Sequence, residues 1–157
     1  ILGQEHTGRI LQAIQSEQLS ALVECDYLTQ RQPGLLAISA GIQANGEAEN
    51  AVRRIILQQI RRLRNETVSA EELDRAKRML RTEYAFNNES YGGQVGSLGF
   101  YDAIDDYQFA VDYIGHMQQI SAEDIRRVAR KYLDPEAYTL VILRPSETPD
   151  GSQEVSL

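Results

Sequence analysis

The chain has 157 residues, 42% of them hydrophobic and 25% charged, with 4 prolines and 11 glycines; this suits one domain with a real core and excludes a disordered or fibrous chain. Sixteen Lys and Arg against 23 Asp and Glu leave a net charge of −7, which argues against a nucleic-acid or anionic-membrane binder, because both need a positive field facing phosphate. No apolar run approaches the roughly 18–20 residues of a membrane span, and the lone Cys25 excludes an internal disulfide framework.

The chain opens Ile1-Leu2-Gly3-Gln4, without Met, basic n-region or apolar h-region. The expectation is a soluble piece of something longer, with no visible targeting segment and its compartment open. From Thr7 to Ser16, Ile10, Leu11 and Ile14 recur at helical spacing behind a hydroxyl that can cap. Leu19, Ala21, Val23, Cys25 and Tyr27 then alternate with polar residues, Leu22 excepted, which predicts a half-buried strand. Gln32-Pro33-Gly34 marks a turn, and Leu35 to Ile42 reads as a second, more fully covered strand of an antiparallel hairpin. After Asn45-Gly46 a long helix follows, with Val52, Ile55, Ile56, Ile60 and Leu63 on its apolar stripe and Arg53, Arg54, Arg61, Arg62 and Arg64 off it.

Ser69-Ala70-Glu71-Glu72 has the form of a capping box and opens a helix whose inward residues are Leu73, Ala76, Leu80 and Tyr84. Gly92, Gly96, Gly99 and Ala103 make a smooth helical strip where another backbone can approach. Asp106 to Gln118 reads as helix. Ser121-Ala122-Glu123-Asp124 caps a last helix, with Ile125, Val128, Ala129, Tyr132 and Leu133 inward, and Asp134-Pro135 stops it. Tyr138 to Leu143 reads as a final strand and the rest as a polar tail. The order of elements implies an α+β fold, an antiparallel sheet with helices packed on one face. Residues 1–145 are expected to form the domain and 146–157 the tail.

The chemistry-bearing residues do not assemble into a catalytic motif. Zinc peptidases place two histidines one helical turn apart beside a Glu base, but the histidines here are His6 and His116, neither with a second His at that spacing. Cys25 lies on the inward face of a strand, where a thiol is inert. No Gly-x-Ser-x-Gly elbow is present, and the glycines of 92–99 lack the Lys-Ser/Thr of a phosphate loop. The Arg53–Arg64 face could grip an anionic ligand, although a solvated helix face fits the negative overall charge better.

Three stretches carry a resemblance when taken in order and spacing: Ile1 to Ile14, Ser69 to Lys77, and Ile120-Ser-Ala-Glu-Asp-Ile-Arg-Arg-Val-Ala-Arg-Lys-Tyr-Leu-Asp-Pro135 running on to Thr139–Pro145. Together they resemble the insulinase/pitrilysin family of zinc metallopeptidases, which includes the mitochondrial processing peptidases. The resemblance covers about residues 1–145 and points to the second, non-catalytic domain, lacking its opening strand. It implies no zinc in this chain, zinc in a partner domain or subunit that carries His-x-x-Glu-His, and unfolded peptides as substrates enclosed between the two. Where the family has an Arg and, seven residues later, a Tyr that orient substrate, this chain has Ile14 and Ala21, which cannot donate hydrogen bonds. A catalytically dead scaffold or assembly subunit of the same fold is the alternative.

Overall fold

The computed structural model describes residues 1–4, 7–19, 21–43 and 46–144. Helix α1 (Arg9–Ser16) points Ile10 and Ile14 into the core, neither with any exposed surface. Thr7 does not cap it. The Thr7 hydroxyl donates to Gln4 Oε1 at 2.7 Å, and the free amides of Arg9 and Ile10 donate instead to the carbonyls of Ile1 and Leu2 at 3.1 and 3.3 Å. The leading segment folds back over the helix start and supplies the acceptors a cap would give. Gly3 permits this, because a Cβ there would run into Cys25 Cβ. The helix closes on Gln18, in the left-handed region at φ 59°, with Leu19 N–H donating to Ile14 O at 3.2 Å.

Strands β1 (Ala21–Tyr27) and β2 (Leu36–Ile42) pair antiparallel, with Val23 opposite Ala40 and Cys25 opposite Ile38. Ala21, Val23, Cys25, Ile38, Ala40 and Ile42 share the half-buried face against the core. The expected full covering of the second strand does not occur: β2 alternates as β1 does, and Leu22 is 81% exposed on the outer face. Among the described residues, helices pack on one side of this ribbon alone, so one residue in two stays wet.

Helix α2 (Gly46–Asn65) buries Val52, Ile55 and Leu63, with Ile56 and Ile60 half-buried beside them. Asn45, before it, lies outside the described residues. The polar Gln59 occupies the same stripe. Helices α3 (Ala70–Asn87) and α4 (Tyr91–Ile104) start where Ser69 and Ser90 accept the amides of Glu72 and Gly93, and neither helix buries a residue fully. Leu80, expected inward, is 39% exposed. Among the described residues the glycine strip of α4 meets no other backbone: around Gly96 and Gly99 the space is open.

The helix expected over 106–118 is two short ones, α5 (Gln108–Val111) and α6 (Tyr113–Gln119), broken at Asp112. The Ala110 carbonyl, which a continuous helix would use internally, accepts the Tyr84 hydroxyl at 2.9 Å. Tyr84 also stacks on Tyr113 at 5.2 Å, and Tyr101 and Phe109 extend an aromatic cluster that holds α3 to α6 together.

Helix α7 (Ala122–Tyr132) has the complete capping box, Ser121 and Asp124 each satisfying the other's amide. It packs on α2 through Ala129, Ile125 and Leu133. Val128 and Tyr132, expected inward, are 43% and 63% exposed because the contact with α2 is narrower than the apolar pattern.

Residues 138–144 are not a strand. The segment runs antiparallel to α2, tied at one end by Arg53 Nε donating to Tyr138 Oη at 2.8 Å and at the other by Arg144 with Glu49 at 2.6 Å. These contacts hold it on α2, and among the described residues it pairs with no strand. The fold is α+β, a two-stranded antiparallel ribbon with helices on one face. The tail expected over residues 146–157 lies outside the described residues, as does Pro145.

Candidate functional site

His116 and Cys25 each have a structural occupation. His116 lies in the last turn of α6, exposed and stacked on Phe109 at 5.1 Å; His6 lies outside the described residues. Burial pushes the Cys25 thiol up, so the reactive thiolate is disfavoured at neutral pH. Among the described residues no group of three or more His, Cys, Asp or Glu could hold a metal ion. No described helix is long and apolar enough to cross a membrane.

The arginines of α2 are committed internally. Arg54 pairs with Glu17 at 2.7 Å, Arg61 with Glu136 at 2.9 Å and Arg62 with Glu66 at 3.4 Å. Arg53 holds Tyr138, and Arg64 Nη1 donates to the Leu133 carbonyl at 2.6 Å. A face whose cations all have partners has little left for an anionic ligand.

A polar concavity lies where α1, α2 and the start of α3 meet, with a volume of about 760 Å³. Its centre is a bidentate pair: Arg9 Nε and Nη2 donate to the two Glu72 oxygens at 2.7 and 2.6 Å. That hydrogen bonding holds the Glu72 carboxyl below the usual range and raises Arg9 further. Glu72 is therefore not the reciprocal half of a capping box. Ser69 accepts its amide, but its carboxylate is drawn across to α1. Arg62, Glu71, Arg75 and the buried Gln59 line the same groove. Sequence reasoning absorbed Glu72 into a cap; the signal it passed over was Gln59, a polar residue at a core position of an apolar stripe.

The positions where the resemblance expects a substrate clamp lie on the core side. Ile14 is fully buried and Ala21, opposite Ile42, is half-buried on the inner face of β1.

The family described as peptidase M16 inactive domain matches residues 1–80. The chain belongs to that family. No curated protein matches it. Among solved structures, the inactive peptidase domain of a Bordetella parapertussis protein assigned as a zinc protease is similar at TM-score 0.81 and 22% identity, over 98% of this chain and 81% of that one. A Bordetella pertussis Tohama I protein assigned as a zinc protease is similar at 0.70 and 21% identity, over 85% and 72% of the two chains. A protease from Helicobacter pylori is similar at 0.71 and 23% identity, over 86% of this chain and 32% of that one. At these identities the likeness shows the fold. The M16 inactive domain here thus corresponds to about a third of the Helicobacter protein's length.

Proposed function

We propose that this domain is the non-catalytic half of a zinc-dependent endopeptidase and helps enclose unfolded peptide substrate against a domain or subunit bearing His-x-x-Glu-His. The observation that carries the reading is membership of the M16 inactive-domain family over residues 1–80. Surface chemistry supports it: α4 has one charged residue, Asp102, in its sequence and fully buries none of its side chains, which suits a domain that packs against a second one. Zinc, held in the partner, would supply the activated water that attacks the peptide bond. This chain would contribute walls that restrain the peptide and exclude bulk water.

Ile14 and Ala21 favour a second reading, a scaffold of the same fold without catalysis anywhere, because neither side chain can hydrogen-bond a substrate carbonyl. Mixing the chain with the His-x-x-Glu-His-bearing half and following cleavage of a quenched unstructured peptide, with and without a zinc chelator, separates the two. Chelator-sensitive cleavage that needs both parts is the expected result. A tight complex that cleaves nothing would establish the scaffold, and cleavage by this chain alone would overturn both.

A further inference from the structure

We infer that two copies of this chain associate by laying α4 of one copy antiparallel along an exposed stripe of α3 on the other. The stripe on α3 runs through Arg75, Met79, Thr82 and Phe86, at spacings of four, three and four that keep to one helix face. With Arg78 beside it, this stripe lines an open groove of about 480 Å³. The stripe on α4 runs through Tyr91, Val95, Leu98 and Asp102 at the same spacings. In a single copy both are uncovered: Phe86 is 71% exposed and Tyr91 88%.

Laid antiparallel, the two stripes match position by position. Phe86 meets Tyr91, Thr82 meets Val95 and Met79 meets Leu98, so three successive levels bury apolar surface. Asp102 then falls opposite Arg75, with Arg78 one turn along α3. The charges fit the same register. Among the described residues, the cations without a hydrogen bond, ion pair or ring contact are Arg31 and, on α3, Arg75, Arg78 and Arg81. Asp102 is likewise unpaired, in the last turn of a helix that has no basic residue there, where negative charge opposes the helix dipole. Arg75 and Arg78 of the second copy supply the missing cations. Asp102 is the one charged residue of α4. In this register it lies eight residues, about 12 Å, along the seam from Glu83, and the nearer carboxylate, Glu72, is already neutralised by Arg9.

The same register would close α3 and α4 of one chain into a hairpin about residues 88–90, but α4 is held elsewhere. Tyr101, about a quarter-turn round α4 from the stripe, packs on Phe109 and Tyr113 at 5.0 and 6.4 Å, and α4 also packs on α5. A second copy therefore offers α3 what the chain's own α4 does not.

The test is sedimentation equilibrium of the full chain from micromolar to near-millimolar concentration. The weight-average mass should climb from that of one chain toward that of two. Asp102→Arg and Val95→Asp change exposed positions, and each should weaken the association about 10-fold, the first by turning attraction into repulsion and the second by burying a charge. Circular dichroism checks that both variants stay folded. A chain carrying Thr82→Cys together with Val95→Cys reads the register: in a glutathione redox buffer the expected disulfide joins two chains. The mass of one chain at every concentration would overturn the inference, as would association that both folded variants leave unchanged. A disulfide closed within one chain would put α4 on its own α3 and overturn it too. Should a variant fail to fold, the concentration dependence of the unaltered chain and the cross-link still decide. All of this uses the chain alone, so failure here leaves the proposed peptidase role to the two-part cleavage assay.

Discussion

Replacing Glu72 with Gln keeps the side-chain shape and removes the charge from the bidentate pair with Arg9, whose side chains are 15% and 14% exposed for Arg and Glu. Exposed pairs are worth about 0–1 kcal/mol, whereas breaking a fully buried one costs about 3–5 kcal/mol. This pair falls between. Of the two oxygens that accept at 2.7 and 2.6 Å, the carboxamide retains one and sets its amide against the guanidinium. One charge-assisted hydrogen bond is lost and a desolvated cation is stranded, for a total of about 2–3 kcal/mol at pH 7. In a chain of this size that lowers Tm by about 5–10 °C.

The pH dependence supplies an internal control. Hydrogen bonding to Arg9 holds the folded Glu72 carboxyl below its ordinary value, so its contribution is complete above the unfolded pKa, about 4.3, and is lost as pH falls through the folded value. Thermal melts followed by circular dichroism should show a constant gap between parent and Glu72→Gln from neutral pH down to mild acid, narrowing as the pH drops further. A gap below about 0.5 kcal/mol at neutral pH would reduce the pair to an ordinary surface contact. A gap that stays constant in acid would show that charge is not what the substitution removes.

Three further outcomes follow from the geometry. Ile14→Arg forces an unpaired guanidinium into a site with no exposed surface, at a cost of several kcal/mol against a total stability of about 5–15 kcal/mol; far-ultraviolet circular dichroism should show an unfolded chain, and an unchanged melt would place residue 14 at the surface. Gly3→Ala drives a methyl into Cys25 Cβ and should cost about 1–3 kcal/mol in urea unfolding, most of it recovered when Cys25→Gly is added; no recovery would mean that the clash lies elsewhere. Asp124, held by the Ser121 hydroxyl and amide, should titrate at about 2 by carboxyl NMR, and Ser121→Ala should raise that value. Titration of the parent near the ordinary value of about 3.9 would show that the capping box is not formed.

Periodicity was legible where the physics is local. The alternation from Ala21 to Cys25, the stripe of α2 and the capping box of Ser121 and Asp124 all depend on neighbours within a few residues, and the structure places them as the pattern implies; Tyr27, which continues the alternation in sequence, is 59% exposed at the end of the strand. Patterns that required a partner from far along the chain were less legible. Tyr138 to Leu143 has strand composition, yet no strand pairs with it among the described residues, and Arg53 and Glu49 hold it on α2 instead. Val128 and Tyr132 share the helical stripe of Ala129 and still face water, because a stripe does not set how wide its partner is.

The sequence by itself determined an α+β domain that joins one antiparallel hairpin to a series of capped helices, without a metal or nucleophile motif, and its ordered motifs were enough to indicate the peptidase relationship. Tertiary structure decided what the side chains do. Glu72, three residues after a Ser, satisfies the spacing of a capping box in any helix, but its carboxylate turns to Arg9, 63 residues away in sequence. The arginines of α2 spend their charge on Glu17, Glu66, Glu136, Tyr138 and a carbonyl, so a face that reads as basic has no free cation to offer. Capping and strand alternation are written in adjacent residues, whereas the partner of a long, flexible charged side chain is set by which elements the core brings within reach.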